Sequence, residues 1–235
     1  MRLPALARTT HKWLALIIAI QAVFWTASGL YMSAVHIDII HGDRLVRSPP
    51  APAIALAGLV EPGHLAHLAP GLKSARLETQ LGRPVYVVDA AGGRALFDAK
   101  TGARLSPLDE AGARARAQAL FAETGQVVRA ELLTEAPPTE IQTRPLPLWR
   151  VEFEGAWRPT FYISPSTGEL VARRHDLWRT YDFLWMFHIM DYESRSDVNN
   201  VLIRTATWMA FAGALTGAWL LLYSFRRRRR PRKAA

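Results

Sequence analysis

Twenty-two consecutive residues, Trp13 to Ala34, carry no charge (WLALIIAIQAVFWTASGLYMSA), and a second uncharged run of 21 extends from Thr205 to Phe225. As a helix, the first reaches roughly 33 Å, enough to cross a hydrocarbon core of about 30 Å. Aromatic residues stand near both ends of each run: Trp13 and Tyr31 in one, Trp208, Tyr223 and Phe225 in the other. Such rings settle at headgroup level. Two buried core helices are the competing reading, but a core helix seldom runs so long without a charge. The expected architecture is a membrane protein with transmembrane helices at 13–34 and 205–225.

The flanks set the orientation. Arg2, Arg8 and Lys12 precede the first run, and Arg226 to Arg230 with Arg232 and Lys233 follow the second. The positive-inside rule then puts the tails, 1–12 and 226–235, in the cytoplasm and residues 35–204 outside, which in a bacterial inner membrane means the periplasm. A cleaved signal peptide is the alternative for the first run, given its basic start and the small residues Ser33 and Ala34. Its apolar stretch is long for that role, so an uncleaved anchor is expected. The formal charge of +9 therefore belongs to the tails. Residues 35–204 hold 19 of the 29 basic residues against all 20 acids. Nucleic acid is not an expected partner; anionic lipid beside the C-terminal run is, unless that run is only a stop-transfer signal. The chain has no Cys, which excludes disulfides, thiolate metal sites, thiol catalysis and covalent haem attachment.

Residues 35–57 read as a linker marked by Pro49, Pro50 and Pro52. Two similar stretches follow, 58–105 and 106–175. In the first, 83–89 and 94–98 read as strands around Ala91-Gly92-Gly93, followed by Asp98-Ala99-Lys100-Thr101-Gly102. In the second, 148–154 and 160–163 flank Gly155-Ala156, followed by Ser164-Pro165-Ser166-Thr167-Gly168. The Thr-Gly pairs lie 66 residues apart (101 to 167), the mark of a duplication. In each a short polar residue starts the turn and Gly takes the positive-φ position. A helix capped by Ser106 and ending near Gly125 precedes the second set, and Glu61 to Leu68 is its shorter counterpart in the first. Each unit is thus a helix followed by about three antiparallel strands, too small to bury a core alone.

These α+β units, each carrying a strand, Asp/Ser-x-x-Thr-Gly and a further strand, resemble PepSY domains, and the flanking spans resemble the PepSY-associated transmembrane family. His11-Lys12-Trp13-Leu14 matches the family's opening motif, Phe187-His188 its later Leu-His-like motif, and Thr216-Gly217 the Thr-Gly of its outgoing span. The resemblance covers nearly the whole chain. It implies an external accessory or binding domain, with protease inhibition a further association of the family. Larger relatives of this type are ferric-siderophore reductases that pass electrons through haem. They have four or more spans, where this chain has two.

The candidate cofactor ligands are His11, His36, His41 and His188. Neutral imidazoles from two helices form the usual axial pair of a b-type haem, which needs no Cys. His36 or His41 with His188 is the expected pair, and His11, roughly 37 Å along a helix from His36, would serve a second site in an oligomer. The competing reading makes His11 and His188 interfacial polar residues that anchor helices. Residues 176–192 place Trp178, Tyr181, Trp185 and His188 on one helical face. That face suits a helix lying in the membrane interface, or a lid over a cofactor. Asp191, Glu193, Asp197, Asn199 and Asn200 then form a loop that caps the second span or holds a cation. Gly213 and Gly217, extended by Ala210 and Ala214, make a small-residue face for the first span or for a second copy of the chain. His64 and His67 share a helical face without an evident third ligand. No Ser-His-Asp arrangement, phosphate loop or carboxylate pair is legible, so a non-enzymatic partner in a membrane redox or metal system is expected.

Overall fold

The computed structural model describes residues 3–47 and 53–224. The basic run Arg226 to Lys233, Arg2, the prolines Pro49, Pro50 and Pro52, and Phe225 lie outside the described residues. The chain divides into two compact units, Met1–Val35 with Tyr181–Ala235, and His36–Thr180.

The second of these is the α+β unit. It opens with α2 (Ile37–His41) and a 3-10 turn (Asp43–Leu45), and α3 (Pro62–Leu68) leads into β1 (Ser74–Gln80), β2 (Arg83–Ala90) and β3 (Gly93–Asp98). Then come α4 (Glu110–Leu120), β4 (Val127–Leu133), β5 (Leu148–Phe153), β6 (Thr160–Ile163) and β7 (Leu170–Arg174). The strands form two antiparallel sheets in chain order, β1-β2-β3 and β4-β5-β6-β7. Period-2 alternation fixes which residues go inside. Val88, Ala90, Ala95 and Phe97 pack with Leu65 and Ala69 at α3. In the second sheet Val151, Phe153, Phe161 and Ile163 pack with Ala117 and Phe121. Phe121 stacks on Phe153 at 4.0 Å and meets Phe161 edge-on at 5.8 Å. The opposite face, Leu148, Tyr162 and Ala172, closes on Ile141 of the β4–β5 connection.

The repeated turn takes the same form twice. Asp98 Oδ1 accepts from the Lys100 and Thr101 amides, Ser164 Oγ accepts from Thr167 N, and Gly102 and Gly168 both stand at positive φ (+73° and +68°). The second copy also joins the sheets. Glu169 accepts from Arg76 of β1 and Arg94 of β3, Gln80 Nε2 donates to Thr167 O, and Arg116 Nε of α4 donates to Gly168 O. Burial would raise the Glu169 carboxyl, but bonds from Arg76 and Thr167 and the charge of Arg94 hold it below the usual range.

α4 differs from its expected limits. Its cap is Asp109, whose carboxylate accepts from Gly112 N, while Ser106 Oγ accepts from Leu96 N as an extension of the first sheet. The helix stops at Leu120 because Phe121 turns extended to enter the core, pairing with Val46. β1 and β4 lie beyond the expected strands. β1 has one buried residue, Gln80, and mixes charges with its apolar residues, so its alternation is weak in the sequence.

The helical unit holds α1 (Leu3–Ala34), the end of α5 (Asp176–Ile189) and α6 (Val201–Ser224). α1 continues well before Trp13. Both α1 and α6 are long and apolar enough to cross a membrane, and only 11 % of each apolar window is buried. Leu16, Ile17, Ile20 and Val23 on α1, and Trp208, Phe211, Leu215 and Leu222 on α6, are exposed. The helices pack with Gly213 against Leu14 and Gly217 against His11, and Ala206 is buried. The small-residue face thus lies on α1 at Gly213 and Gly217, while Ala214 is exposed.

Candidate functional site

Several polar side chains inside the helical unit answer backbone groups that a helix leaves unpaired. The last carbonyls of a helix lack intrahelical partners. At the end of α5, two of them are met by side chains of α1: Gln21 Nε2 donates to Phe187 O and Trp25 Nε1 to His188 O, both at 2.8 Å. Phe24 stacks on Phe187 at 4.7 Å and completes the seat. Gln21 and Ser28 are buried, and a buried amide or hydroxyl left without a partner would be costly.

His188 stands at this seat. Its Nδ1 lies 2.8 Å from Ser28 Oγ, and the Ser28 hydroxyl donates to Phe24 O at 2.6 Å. With its proton used there, the Ser28 oxygen accepts from His188 Nδ1–H, which in the neutral imidazole leaves Nε2 as the lone-pair nitrogen. The imidazole also lies parallel to Trp185 at 6.0 Å, and Trp185 to Tyr181 at 6.2 Å, a ladder of rings along α5.

His11 repeats the pattern lower on α1. Its Nδ1 lies 3.0 Å from Gly213 O and 3.2 Å from Thr216 Oγ1. A carbonyl only accepts, so Nδ1 carries a proton, and in the neutral ring Nε2 again holds the free pair. The ring sits over Gly217, where a Cβ would come within 3.0 Å of His11 Cε1. Both imidazoles therefore have the fixed Nδ1–H and open Nε2 found in metal-ligating histidines. They do not share one site. His11 and Ser28, the partner of His188, are 17 positions apart on α1 (11 to 28), about 25 Å. Within the helical unit each level thus offers one imidazole. Among the described residues no group of three His, Cys, Asp or Glu side chains is gathered for a metal ion.

His36 and His41 belong to the α+β unit. His36 caps α2, its Nδ1 accepting from Asp38 N, with the Asp38 carboxylate 3.4 Å away. His41 ends that helix and its carbonyl accepts from Arg173 Nε. His64 and His67 lie on α3, both exposed. The loop after α5 is organised by Asp191, which accepts from Ser194 and from the amides of Glu193, Ser196 and Asp197. These bonds, the Ser194 side chain foremost, hold its carboxyl far below the ordinary range. Asn200 Oδ1 accepts from Ile203 N and so caps α6. This cluster is a loop and cap.

One histidine escaped the sequence reading. His175, between β7 and α5, is buried, and its Nε2 bonds Ile40 O at 3.1 Å. Burial pushes its pKa down, against the opposing bonds to Ile40 and Ile39. Nothing in its sequence context separates it from a surface residue, because the partner is a carbonyl 135 positions away. Nearby, Tyr162 OH donates to Glu140, which also accepts from Arg179, and Arg179 and Arg158 share Asp176. Burial and the Glu140 charge push the Tyr162 phenol up. Comparison of the chain with protein-family models, with curated proteins and with solved structures gives no match.

Proposed function

We propose that this chain is a two-span membrane protein of the PepSY-associated transmembrane kind, whose α+β unit acts outside the membrane as a non-enzymatic binding or accessory module in a redox or metal-related system. One observation carries this reading: a self-contained α+β unit with its own core is joined to a pair of helices whose apolar surface is almost wholly exposed. Lipid is the surrounding that removes such a surface from water. The recurring Asp/Ser-x-x-Thr-Gly turn and the helix-then-sheet order of both halves support the family assignment. The orientation, with both termini in the cytoplasm of a bacterial cell, rests on the basic flanks.

A second reading is favoured by the two imidazoles with bonded Nδ1: a b-type haem protein, in which His11 and His188 would be the residues that hold haem. Bound there, haem would supply one-electron transfer. The chain's own part would be to fix each ring by Ser28 or by Gly213 O, and to exclude water with the aromatic ladder of α5.

An absorption spectrum separates them. Protein purified in detergent after expression with added haem should show no Soret band and no pyridine-haemochrome signal on the accessory reading. A Soret band that disappears in His188→Ala, with the protein still folded, overturns it in favour of haem.

A further inference from the structure

The α+β unit encloses a cavity of about 330 Å³ that none of the roles above uses, and its wall is chemically mixed. Ile39 and Leu177 supply apolar surface, Asp38 and Glu123 carboxylates, Arg44 a guanidinium, and Trp157 an indole. The side chains of Arg44 and Glu123 make no ion pair or hydrogen bond among the described residues, although elsewhere in this unit arginines and acids pair readily, as Arg114 does with Glu110 and Arg150 with Glu152. Two opposite charges thus line one concavity without meeting each other.

The indole is held there under strain. Trp157 and Arg158 are consecutive non-glycine residues at positive φ (+69° and +47°) in the β5–β6 hairpin, a conformation that L residues avoid. The hairpin is locked from behind. Asp176 N donates to Trp157 O at 2.7 Å, Thr160 Oγ1 and Arg179 Nη1 donate to Arg158 O, and the Arg158 guanidinium pairs with Asp176. The result is a tryptophan 58 % exposed beside the cavity, fixed by bonds that do nothing for its own burial. Strain of this kind gathers at ligand clamps.

A lone cation entering this cavity would meet Arg44, and a lone anion two carboxylates. A neutral apolar molecule would leave Arg44 and Glu123 without partners. We propose that the cavity binds a small zwitterion, its ammonium toward Glu123 and Asp38, its anionic group toward Arg44 and its apolar part against Trp157. The volume suits a free amino acid or a dipeptide, and a phosphatidylethanolamine headgroup carries the same pair of charges. The proposal deepens the binding role assigned to this unit and is independent of haem.

The test uses the full chain in phosphatidylglycerol nanodiscs, with calorimetric titration by Leu-Leu dipeptide, by its N-acetyl derivative and by its amide. The expected result is saturable binding of the dipeptide, at least about tenfold weaker once either terminus is blocked, as for loss of one charge-assisted contact. Glu123→Gln should weaken the dipeptide and leave the N-acetyl form unchanged, Arg44→Gln should leave the amide unchanged, and Trp157→Ala should weaken all three. Both charged positions are exposed, so circular dichroism should show the variants folded. If nanodiscs containing phosphatidylethanolamine lower the apparent dipeptide affinity, the lipid headgroup is the occupant. Equal binding of the three probes, or no saturable binding of any probe together with no such lipid dependence, overturns the proposal. Those outcomes leave the anchor-and-module reading standing, because that reading rests on the exposed helices and its spectral test.

Discussion

His175 shows how one side chain makes the α+β unit sensitive to pH. Its ring fills the space beside Gly42, where a Cβ would come within 3.1 Å of His175 Cδ2, and its Nε2 holds the carbonyl of Ile40. Burial disfavours the imidazolium, as does the nearby charge of Arg179, while Asp176 opposes them; the net pKa lies below the unfolded 6.5. Between those two values the unfolded chain binds the proton and the folded chain does not. Stability is therefore full above about pH 6.5 and falls as pH drops through the folded pKa. Glu140 and Glu169, both held below the usual carboxylate range, contribute only at more acid pH. Thermal melts between pH 7.5 and 5 should show a declining Tm in the wild type and a flatter profile in His175→Gln, which keeps a donor for Ile40 O. An unchanged profile in the variant would assign the decline to another group.

At the scale of elements, the duplicated turn reveals what local sequence can and cannot announce. Asp98 to Gly102 and Ser164 to Gly168 are legible because every contact that shapes them lies within five residues. The second turn has an added role that no spacing reveals: Gly168 faces Gln80 of β1, so closely that a Cβ would collide with its amide. Gly82 provides the comparison, since it too has positive φ (+75°) but open space around its missing Cβ. Gly82→Ala should cost only the backbone strain, about 1 kcal/mol, whereas Gly168→Ala should cost that plus the displaced Gln80 bond to Thr167 O, about 2–3 kcal/mol in all. Denaturation monitored by circular dichroism checks this, and equal losses would show that the Gln80 contact holds nothing together. The same logic explains the other differences. Ser106 and Asp109 are both adequate caps by sequence, and only the distant amide of Leu96 decides that Ser106 belongs to the sheet. β2, β3, β5 and β6 announce themselves by their β-branched and aromatic residues between turn signals, and β6 is buried along its whole length. β1 and β4 do not, because charged residues break their alternation and only one residue between them is fully buried.

At the scale of the whole molecule, the two apolar runs are legible from composition but their relative height is not. Leu14 meets Gly213 and His11 meets Gly217, so the middle of the second run, near Leu215, stands beside about residue 12 of α1. The middle of the first run lies near Phe24, roughly 18 Å further along. A bilayer cannot be centred on both. Centring it on 13–34 would sink the end of α5, seated on Gln21 and Trp25, and the charged loop behind it into hydrocarbon, at a cost of several kcal/mol. A slab centred near Ile17 of α1 and Ala210 of α6 brings Val201, where α6 begins, close to its outer face and so lifts the charged loop out, while Gln21 and Trp25, roughly 6 and 12 Å from that centre, keep the end of α5 within it. It leaves Lys12 and Arg204 close enough to the two faces for their charges to reach headgroups. The last turns of α1 then emerge from the hydrocarbon, and with them Leu30, 70 % exposed. The absence of Cys makes the test clean. In intact spheroplasts, Leu30→Cys should react with a membrane-impermeant maleimide and Ile17→Cys should not. Protection of both positions would return the bilayer to the higher placement and sink the charged loop as well as the end of α5.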